Sequence, residues 1–291
     1  MKSVIISADD FGLTESINKG IIQAYKEGAV SSASLMVNMP GFEDAVSLIK
    51  DNHGLDIGLH VNIYRGKPVL QEGRIRSLID ENGFFLQDIF KIAKGIYQKS
   101  INFSELESEC DAQIRRALDR GINITHLDSE KHLHLIGPLY KVIVRLMKKY
   151  GIHKIRNINE GLYLAKFIFN QKIDPGLSLC KTIILQFLSM RRKKFNLKNS
   201  IKTTDYSFGL YETGDMVLDK YEKVLKSLQD GVTEIFCHPG YCDTPCGKPS
   251  SVSGRFYPKM NRRAELDALL SPRLKEMMDR LGIGLITYKT L

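Results

Sequence analysis

Short apolar stretches alternate along most of the chain with segments in which apolar side chains recur at helical spacing. The short stretches predict β-strands over residues 4–7, 34–37, 56–61, 122–126, 154–156, 234–237 and 283–288. The longer segments predict helices, and the helix over residues 103–120 begins with a capping box formed by Ser104 and Glu107. Alternation of strand and helix is typical of parallel strands joined by right-handed crossovers.

These elements predict an α/β fold, a distorted βα barrel of about seven parallel strands in a single domain over residues 1–291. An open doubly wound sheet is the alternative. The sequence has neither the glycine-rich dinucleotide pattern after its first strand nor a P-loop, so a nucleotide-binding sheet is not favoured. The alternation fails over residues 162–205, where apolar helical stretches surround Asp174-Pro175-Gly176, and we interpret this segment as a helical insertion.

Composition is that of a globular protein, with 43% apolar and 26% charged residues in a chain of 291. No apolar run approaches the roughly 18 residues of a membrane-spanning helix. The apolar N-terminus meets Asp9 and Asp10 too soon for a signal peptide. The five cysteines are scattered along the chain. We therefore expect a cytoplasmic protein with reduced thiols.

Ionisable residues collect where predicted strands end. In a parallel barrel these ends open onto one face, where active sites form. The residues are, in chain order, Asp9, Asp10, His60, His126, Asp128 and His238. Residues far apart in the chain can therefore meet in one candidate active site.

Two adjacent carboxylates repel each other and are costly to bury without a cation. One of Asp9 and Asp10 is therefore a candidate metal ligand and the other a candidate general base, and Gly12 permits the turn that brings both into one pocket. The alternative is a helix cap beside a solvated carboxylate. His60 and His126 are candidate metal ligands, since two imidazoles and one carboxylate leave positions open for water and substrate. The alternative for each is a hydrogen-bonded core histidine.

The segment around the fourth predicted strand offers further candidates. Asp128 could orient a ligand histidine or form a turn before Ser129. His132 and His134 would point the same way in an extended segment, as further ligands, substrate contacts or residues at the start of a helix. Arg156 could orient the base aspartate, bind substrate or form a surface ion pair.

His238 precedes a turn that Pro239 and Gly240 impose, and it is a candidate general acid with a pKa near neutrality. A competing interpretation places it in a structural zinc site with Cys237, Cys242 and Cys246. The spacing of these residues is irregular and contains no C-x-x-C pair, so it does not favour zinc.

Four motifs taken together resemble those of the YdjC-like carbohydrate deacetylases, a family that includes chitooligosaccharide deacetylases and enzymes implicated in hopanoid biosynthesis. The motifs are Ala8-Asp9-Asp10-Phe11-Gly12, Gly58-Leu59-His60-Val61-Asn62, Thr125-His126-Leu127-Asp128-Ser129 with His132 and His134, and His238-Pro239-Gly240. Their order extends from residue 8 to the helix over residues 262–265, so the resemblance covers nearly the whole chain. It implies a distorted βα barrel that removes the acetyl group from an N-acetylated amino sugar of an oligosaccharide or a glycolipid.

The resemblance also implies a role for each matched residue. A divalent metal, with Mg²⁺ favoured and Zn²⁺ as the alternative, would be held by Asp10, His60 and His126. Asp9 would be the base and His238 the acid. The residues expected to bind substrate or to support the ligands are Asp128, His132, His134 and Arg156.

One position departs from the family pattern. Many members carry a histidine after the Asp-Ser pair, whereas this chain has Glu130. The predicted metal triad does not include this position, so the departure affects only a substrate contact assigned to it.

The formal charge of +9 is concentrated in the predicted insertion. Residues 162–202 contain nine lysines and arginines and one aspartate, and the rest of the chain carries a net +1. The segment matches no family motif. It could contact an anionic substrate, a membrane surface through residues 190–202 or another subunit, and we expect a homo-oligomer. A basic run is most often a solvated face, so we expect no nucleic-acid partner.

Two other classes of function compete with a deacetylase. Another metal-dependent hydrolase on the same barrel, such as a phosphoesterase, would place basic residues at strand ends, where only Arg156 qualifies. The other class is a protein that binds nucleic acid or an anionic surface through residues 191–202.

Overall fold

Seven parallel strands form the centre of the fold in the computed structural model, which describes residues 1–161, 177–241 and 261–291. The strands are β1 Lys2–Phe11, β2 Ser32–Leu35, β3 Asp56–Val61, β4 Leu127–Ser129, β5 Tyr206–Phe208, β6 Gly231–Cys237 and β7 Ile283–Leu285. They are ordered β4-β3-β2-β1-β6-β5, and β7 pairs with the first residues of β1. Since β1 lies at the centre of this order, Asp9 and Asp10 reach the middle of the sheet.

Backbone hydrogen bonds through residues 153–159 join the two outer strands, β4 and β5. The N–H of Leu127 donates to the carbonyl of Lys154 at 3.0 Å, and the N–H of Arg156 donates to the carbonyl of Leu127 at 2.9 Å. On the other side, the N–H of Ser207 donates to the carbonyl of Asn159 at 3.0 Å. The sheet therefore curls into a distorted βα barrel, which confirms the predicted fold class.

The helices surround the sheet, and most of them bury an apolar stripe against it, as surface helices of a globular protein do. Thr14 caps the first of them by accepting a hydrogen bond from the N–H of Ile17. Their bounds are α1 Glu15–Lys26, α2 Phe42–Lys50, α3 Ile89–Gln98, α4 Phe103–Leu118, α5 Gly137–Tyr150, α6 Leu177–Met190, α7 Lys193–Lys198, α8 Leu218–Ser227, α9 Arg262–Leu270 and α10 Pro272–Arg280. Short 3₁₀ turns cover Glu72–Arg74, Glu130–Leu135 and Tyr288–Thr290.

Several predicted boundaries are wrong in detail. The fourth strand begins at Leu127 rather than at residue 122, and residues 154–156 make isolated bridges instead of a strand. Strand β5 was not predicted, because three residues are too short to show a strand pattern. Helix α4 is capped by Asn102 rather than by Ser104.

The predicted insertion is described only in part. Residues 177–205 contain α6 and α7, whereas residues 162–176 lie outside the described residues. Among the helices of the described ranges, none is both long enough and apolar enough to cross a bilayer.

Candidate active site

A break in the regular geometry of β1 brings both aspartates to one cavity. The pairing of β1 with β2 shifts between Ala8 and Phe11, and Asp10 adopts a left-handed φ of 68°. Such a bulge re-aims a side chain that would otherwise alternate to the opposite face. The small cavity at the carboxyl ends of the strands is lined by Asp9, Asp10, His60, Arg65, Ser129, Glu130, Lys131, His132, Lys181, Thr213 and His238.

Arg156 holds Asp9 in a buried network. Its two terminal nitrogens donate to the two oxygens of Asp9, each at 2.7 Å, and Nη1 also lies 2.6 Å from Oδ2 of Asp128. Its Nε donates to Glu234 at 3.0 Å. Burial raises the pKa of Asp9 even though the charge of Arg156 acts in the opposite direction. Asp9 is therefore a fixed carboxylate with an increased affinity for a proton.

His60 is oriented by Asp128. Its Nδ1 lies 2.8 Å from Oδ1 of Asp128, and its Nε2 lies 3.3 Å from Oε2 of Glu130. Burial would lower the pKa of His60, but the charges and hydrogen bonds of Asp128 and Glu130 outweigh burial and raise it well above its usual value. A carboxylate that fixes one imidazole nitrogen is the usual support for a histidine whose other nitrogen binds a metal.

Two groups of described side chains bring ligand atoms within 4.8 Å of one another, namely Asp9, His60 and Asp128, and Asp10, His60 and Glu130. In the first group, Arg156 already contacts both carboxylates. In the second group all three residues line the cavity. Buried carboxylates and an imidazole could therefore hold a divalent cation, and the second group is the one exposed to the cavity.

Each carboxylate of the cavity group also contacts a buried arginine. Arg262 donates to Oδ2 of Asp10, and Arg65 donates to Oε1 of Glu130, whose other oxygen faces His60. Burial alone would raise the pKa of Asp10, but Arg262 and Arg65 hold it well below the usual range. Both carboxylates are therefore ionised at neutral pH, as metal ligands must be.

The structure does not bring His126 to Asp10 and His60. The register of β3 and β4 places Asp128 opposite His60, and His126 lies two residues earlier, against Gly58. Its ring stacks on Tyr288 at a centroid distance of 3.7 Å, and its Nδ1 lies 2.9 Å from the hydroxyl of Thr125. Burial lowers the pKa of His126 to about 3. In the structure His126 is therefore a core histidine. Glu130, rather than His126, lies beside Asp10 and His60.

His132 and His134 are not in an extended segment. They lie in the 3₁₀ turn Glu130–Leu135, where Lys131 and His132 have φ values of 55° and 56°. His132 lines the cavity. His134 is buried behind it, with Nδ1 2.8 Å from the hydroxyl of Ser129 and Nε2 3.3 Å from the carbonyl of Arg156. Only the first of the two therefore reaches the cavity.

His238 follows β6 and lines the cavity. Its N–H donates to Glu265 of α9, and its buried Nδ1 has no hydrogen-bond partner among the described residues. Burial lowers the pKa of His238 to about 3. The turn after it packs on α1 so closely that a Cβ on Gly20 would lie 2.6 Å from the Cα of Gly240. Helix α1 and Glu265 thus fix the position of this ring.

The alternative zinc site can be examined only in part, because Cys242 and Cys246 lie outside the described residues. The buried thiol of Cys237 donates to the carbonyl of Ser7 at 3.4 Å, and burial raises its pKa well above the usual value. A buried, protonated thiol is a poor metal ligand, because the thiolate is the form that binds.

Sequence reasoning missed the basic residues of the cavity and the role of Glu130. Arg65 is positioned by Asn62, whose side-chain oxygen accepts hydrogen bonds from the N–H groups of Tyr64 and Arg65 at 3.0 Å each. Lys181 reaches the cavity from α6, a helix of the insertion. No strand pattern could have identified Glu130, because it begins the 3₁₀ turn that follows β4.

We expect Arg156→Met to destabilise the protein by about 3–5 kcal/mol, because it leaves three buried carboxylates without their shared cation. Arg156→Lys keeps the charge and should cost less, although a lysine cannot reproduce the paired contacts to Asp9. Urea unfolding of both variants measures the difference. Unfolding of the methionine variant at the midpoint of the unsubstituted protein would show that the network is not stabilising.

Together these observations define an α/β-barrel protein with a buried cluster of carboxylates and imidazole, able to hold a divalent cation, at the carboxyl ends of its strands. The chain belongs to the YdjC-like protein family, whose model matches residues 3–280. The resemblance seen in the motifs is thereby confirmed.

Curated relatives and a solved structure extend over the same length. The chain is 40% identical over 295 residues to a protein of Listeria monocytogenes named carbohydrate deacetylase, with 99% of each chain covered. It is 29% identical over 289 residues to a Brevibacillus brevis protein of the same name, again with 99% of each covered. A crystal structure of an Enterococcus faecalis protein named for cellobiose-phosphate cleavage matches with a TM-score of 0.76 and 26% identity over 99% of this chain and 98% of that one.

Proposed function

We propose that this chain is a metal-dependent carbohydrate deacetylase, which hydrolyses the amide of an N-acetylated amino sugar and releases acetate. The names of its full-length relatives support the reaction class. The observation that carries the proposal is the cluster of Asp10, His60 and Glu130 at one end of the cavity, with Asp9 and His238 lining the same space. A cytoplasmic location and a homo-oligomeric state belong to this proposal and rest on the sequence alone.

The donor set fits a divalent cation. Asp10 and Glu130 supply carboxylate oxygens, and Nε2 of His60 faces the carboxylate of Glu130 while Nδ1 is fixed by Asp128. Two carboxylates with one imidazole suit Mg²⁺ better than Zn²⁺, which prefers nitrogen and sulfur ligands. We therefore propose Mg²⁺ as the favoured ion and Zn²⁺ as the alternative. A bound cation supplies Lewis acidity, lowering the pKa of a water molecule and polarising the amide carbonyl.

Asp9 is the proposed general base. Its raised pKa favours uptake of the proton from the attacking water, and the contacts with both terminal nitrogens of Arg156 hold its two oxygens in place. Arg156 does not line the cavity, and it acts by positioning Asp9 and Asp128 together. Water attack then needs no movement of the base.

His238 is the proposed group that delivers a proton to the leaving amine. Its ring is neutral at neutral pH because burial lowers its pKa, so it must first take up a proton before it can donate one. The Nδ1 atom, which lacks a partner among the described residues, is the position available for that proton. His132, which also lines the cavity, is proposed to contact substrate. The overall reaction consumes one water and yields acetate and a free amine.

A phosphoesterase remains the second candidate, because Arg65, Lys131 and Lys181 line the cavity and would attract a phosphate group. Incubation of the protein with Mg²⁺ or Zn²⁺ and a panel of N-acetylglucosamine oligomers, N-acetylated glycolipid precursors and phosphate esters separates the two. We expect acetate release from an acetylated sugar. Phosphate release without acetate would replace the deacetylase by the phosphoesterase.

A further inference from the structure

Helix α6 exposes a continuous apolar stripe. Ile183, Ile184, Phe187 and Met190 recur at helical spacing, and their exposed fractions are 53%, 59%, 56% and 64%. Leu197 of α7 is 73% exposed. Single exposed apolar residues are common, but a contiguous group of this size usually marks a surface that binds something.

The side of α6 that faces the barrel is mixed, because Leu179 is buried and Leu185 and Leu188 pack on the core there beside polar residues. Thr182 and Ser189 are buried there, and the hydroxyl of Ser189 accepts a hydrogen bond from the N–H of Ile158 at 3.0 Å. Lys181 on the same side reaches the cavity. A surface helix normally buries its apolar side. Helix α6 carries apolar side chains on its outer side as well, beyond those that pack on the barrel, and an apolar partner would cover them.

Basic residues continue the apolar stripe at its carboxyl end. Arg191, Lys193, Lys194 and Lys198 are exposed, and the guanidinium of Arg191 lies 5.2 Å from the ring centroid of Phe187. Residues 177–204 contain no aspartate or glutamate. Within the described ranges, no ion pair involves these four residues. We call these nine residues, five apolar and four basic, the α6 surface.

We propose that the α6 surface binds an anionic lipid membrane. Aliphatic and aromatic side chains beside lysine and arginine suit the boundary of a bilayer, where the apolar groups enter the acyl region and the cations meet anionic headgroups. A second copy of the chain would bring two sets of like charges together across a two-fold axis. Nucleic acid would neutralise the cations but leave the apolar stripe in water. A membrane is the partner that offers an apolar region to the five apolar side chains and anionic headgroups to the four basic ones.

Vesicle sedimentation with the full chain tests this proposal. We expect the protein to sediment with vesicles of phosphatidylcholine and phosphatidylglycerol, to stay in solution with phosphatidylcholine alone, and to be released as salt is raised. Ile184→Glu with Phe187→Glu and, separately, Lys193→Glu with Lys194→Glu should each reduce binding by about tenfold or more. All four side chains are exposed, so circular dichroism should show unchanged folding.

Matched control variants distinguish an effect of the α6 surface from a general effect of net charge or of exposed apolar residues. Lys26→Glu with Lys50→Glu changes the net charge equally on α1 and α2, and Leu118→Glu alters an exposed leucine at the end of α4. Both controls should sediment like the unsubstituted protein. The proposal is overturned if the protein does not bind anionic vesicles, or if the controls lose vesicle binding as much as the α6 variants do. It is also overturned if Phe187→Glu converts a dimer into monomers without changing vesicle binding. The same holds if the charge variants lose binding to nucleic acid but keep binding to vesicles. Acetate release does not enter this test, so its outcome is independent of the proposed function.

Discussion

Replacement of Asp9 by asparagine is expected to lower turnover of an acetylated sugar by about 10²–10⁴-fold, the range for loss of a general base. Asparagine keeps the shape of the side chain but cannot accept the proton of the attacking water. Arg156 loses one of its three carboxylate partners, so some loss of stability is expected as well. The measurement is kcat of the folded variant together with its metal content by elemental analysis.

Metal content should remain unchanged in Asp9→Asn, because the ligands we propose are Asp10, His60 and Glu130. This control distinguishes a lost base from a lost cation. Turnover at the unsubstituted rate would remove Asp9 from the role of base. Loss of metal together with activity would instead place Asp9 among the ligands.

The second large effect concerns Glu130, which we propose as the third metal ligand. Glu130→Ala is expected to weaken binding of Mg²⁺ or Mn²⁺ by about 100-fold or more, since loss of a supporting partner alone costs about 10–100-fold. His126→Ala should leave the affinity for metal unchanged, because His126 packs on Tyr288 and Gly58 away from the cavity group. Isothermal titration with each metal compares the two variants directly.

Glu130→His provides the conservative control at the same position. It restores the histidine that many family members carry after Asp-Ser, so metal binding should persist while the preference moves towards Zn²⁺. If His126→Ala loses metal and Glu130→Ala retains it, the triad of Asp10, His60 and His126 expected from the sequence is correct and the arrangement in the structure is not the one that binds.

The barrel could be predicted from the sequence because its strands are buried on both faces and are therefore nearly continuous apolar runs, as in β1 and β3. The same pattern identified the strand ends where Asp9, Asp10, His60 and His238 line one cavity. Strand β5 could not be predicted because it has only three residues. Beside it, the barrel is joined by backbone hydrogen bonds of residues 153–159, which leave no pattern of apolar side chains.

The placement of Glu130 beside Asp10 and His60 could not be predicted, because it depends on register. A fourth strand ending at residue 126 would place His126 beside His60, whereas the observed register places Asp128 there. The shift of two residues preserves which side chains share a face, so hydrophobic pattern alone does not reveal it. Arg65 and Arg262 were missed for a different reason, since each reaches the cluster from a loop or a helix start that carries no strand signal.

The most direct test of the account is the yield of acetate and of new primary amine from an N-acetylglucosamine oligosaccharide, measured before chelation, after chelation and after Mg²⁺ is restored. We expect equal amounts of acetate and amine, loss of both on chelation and recovery with the metal. Release that persists after chelation would contradict the role of the Asp10, His60 and Glu130 cluster. Absence of acetate from every acetylated sugar under all three conditions would contradict the proposed function itself.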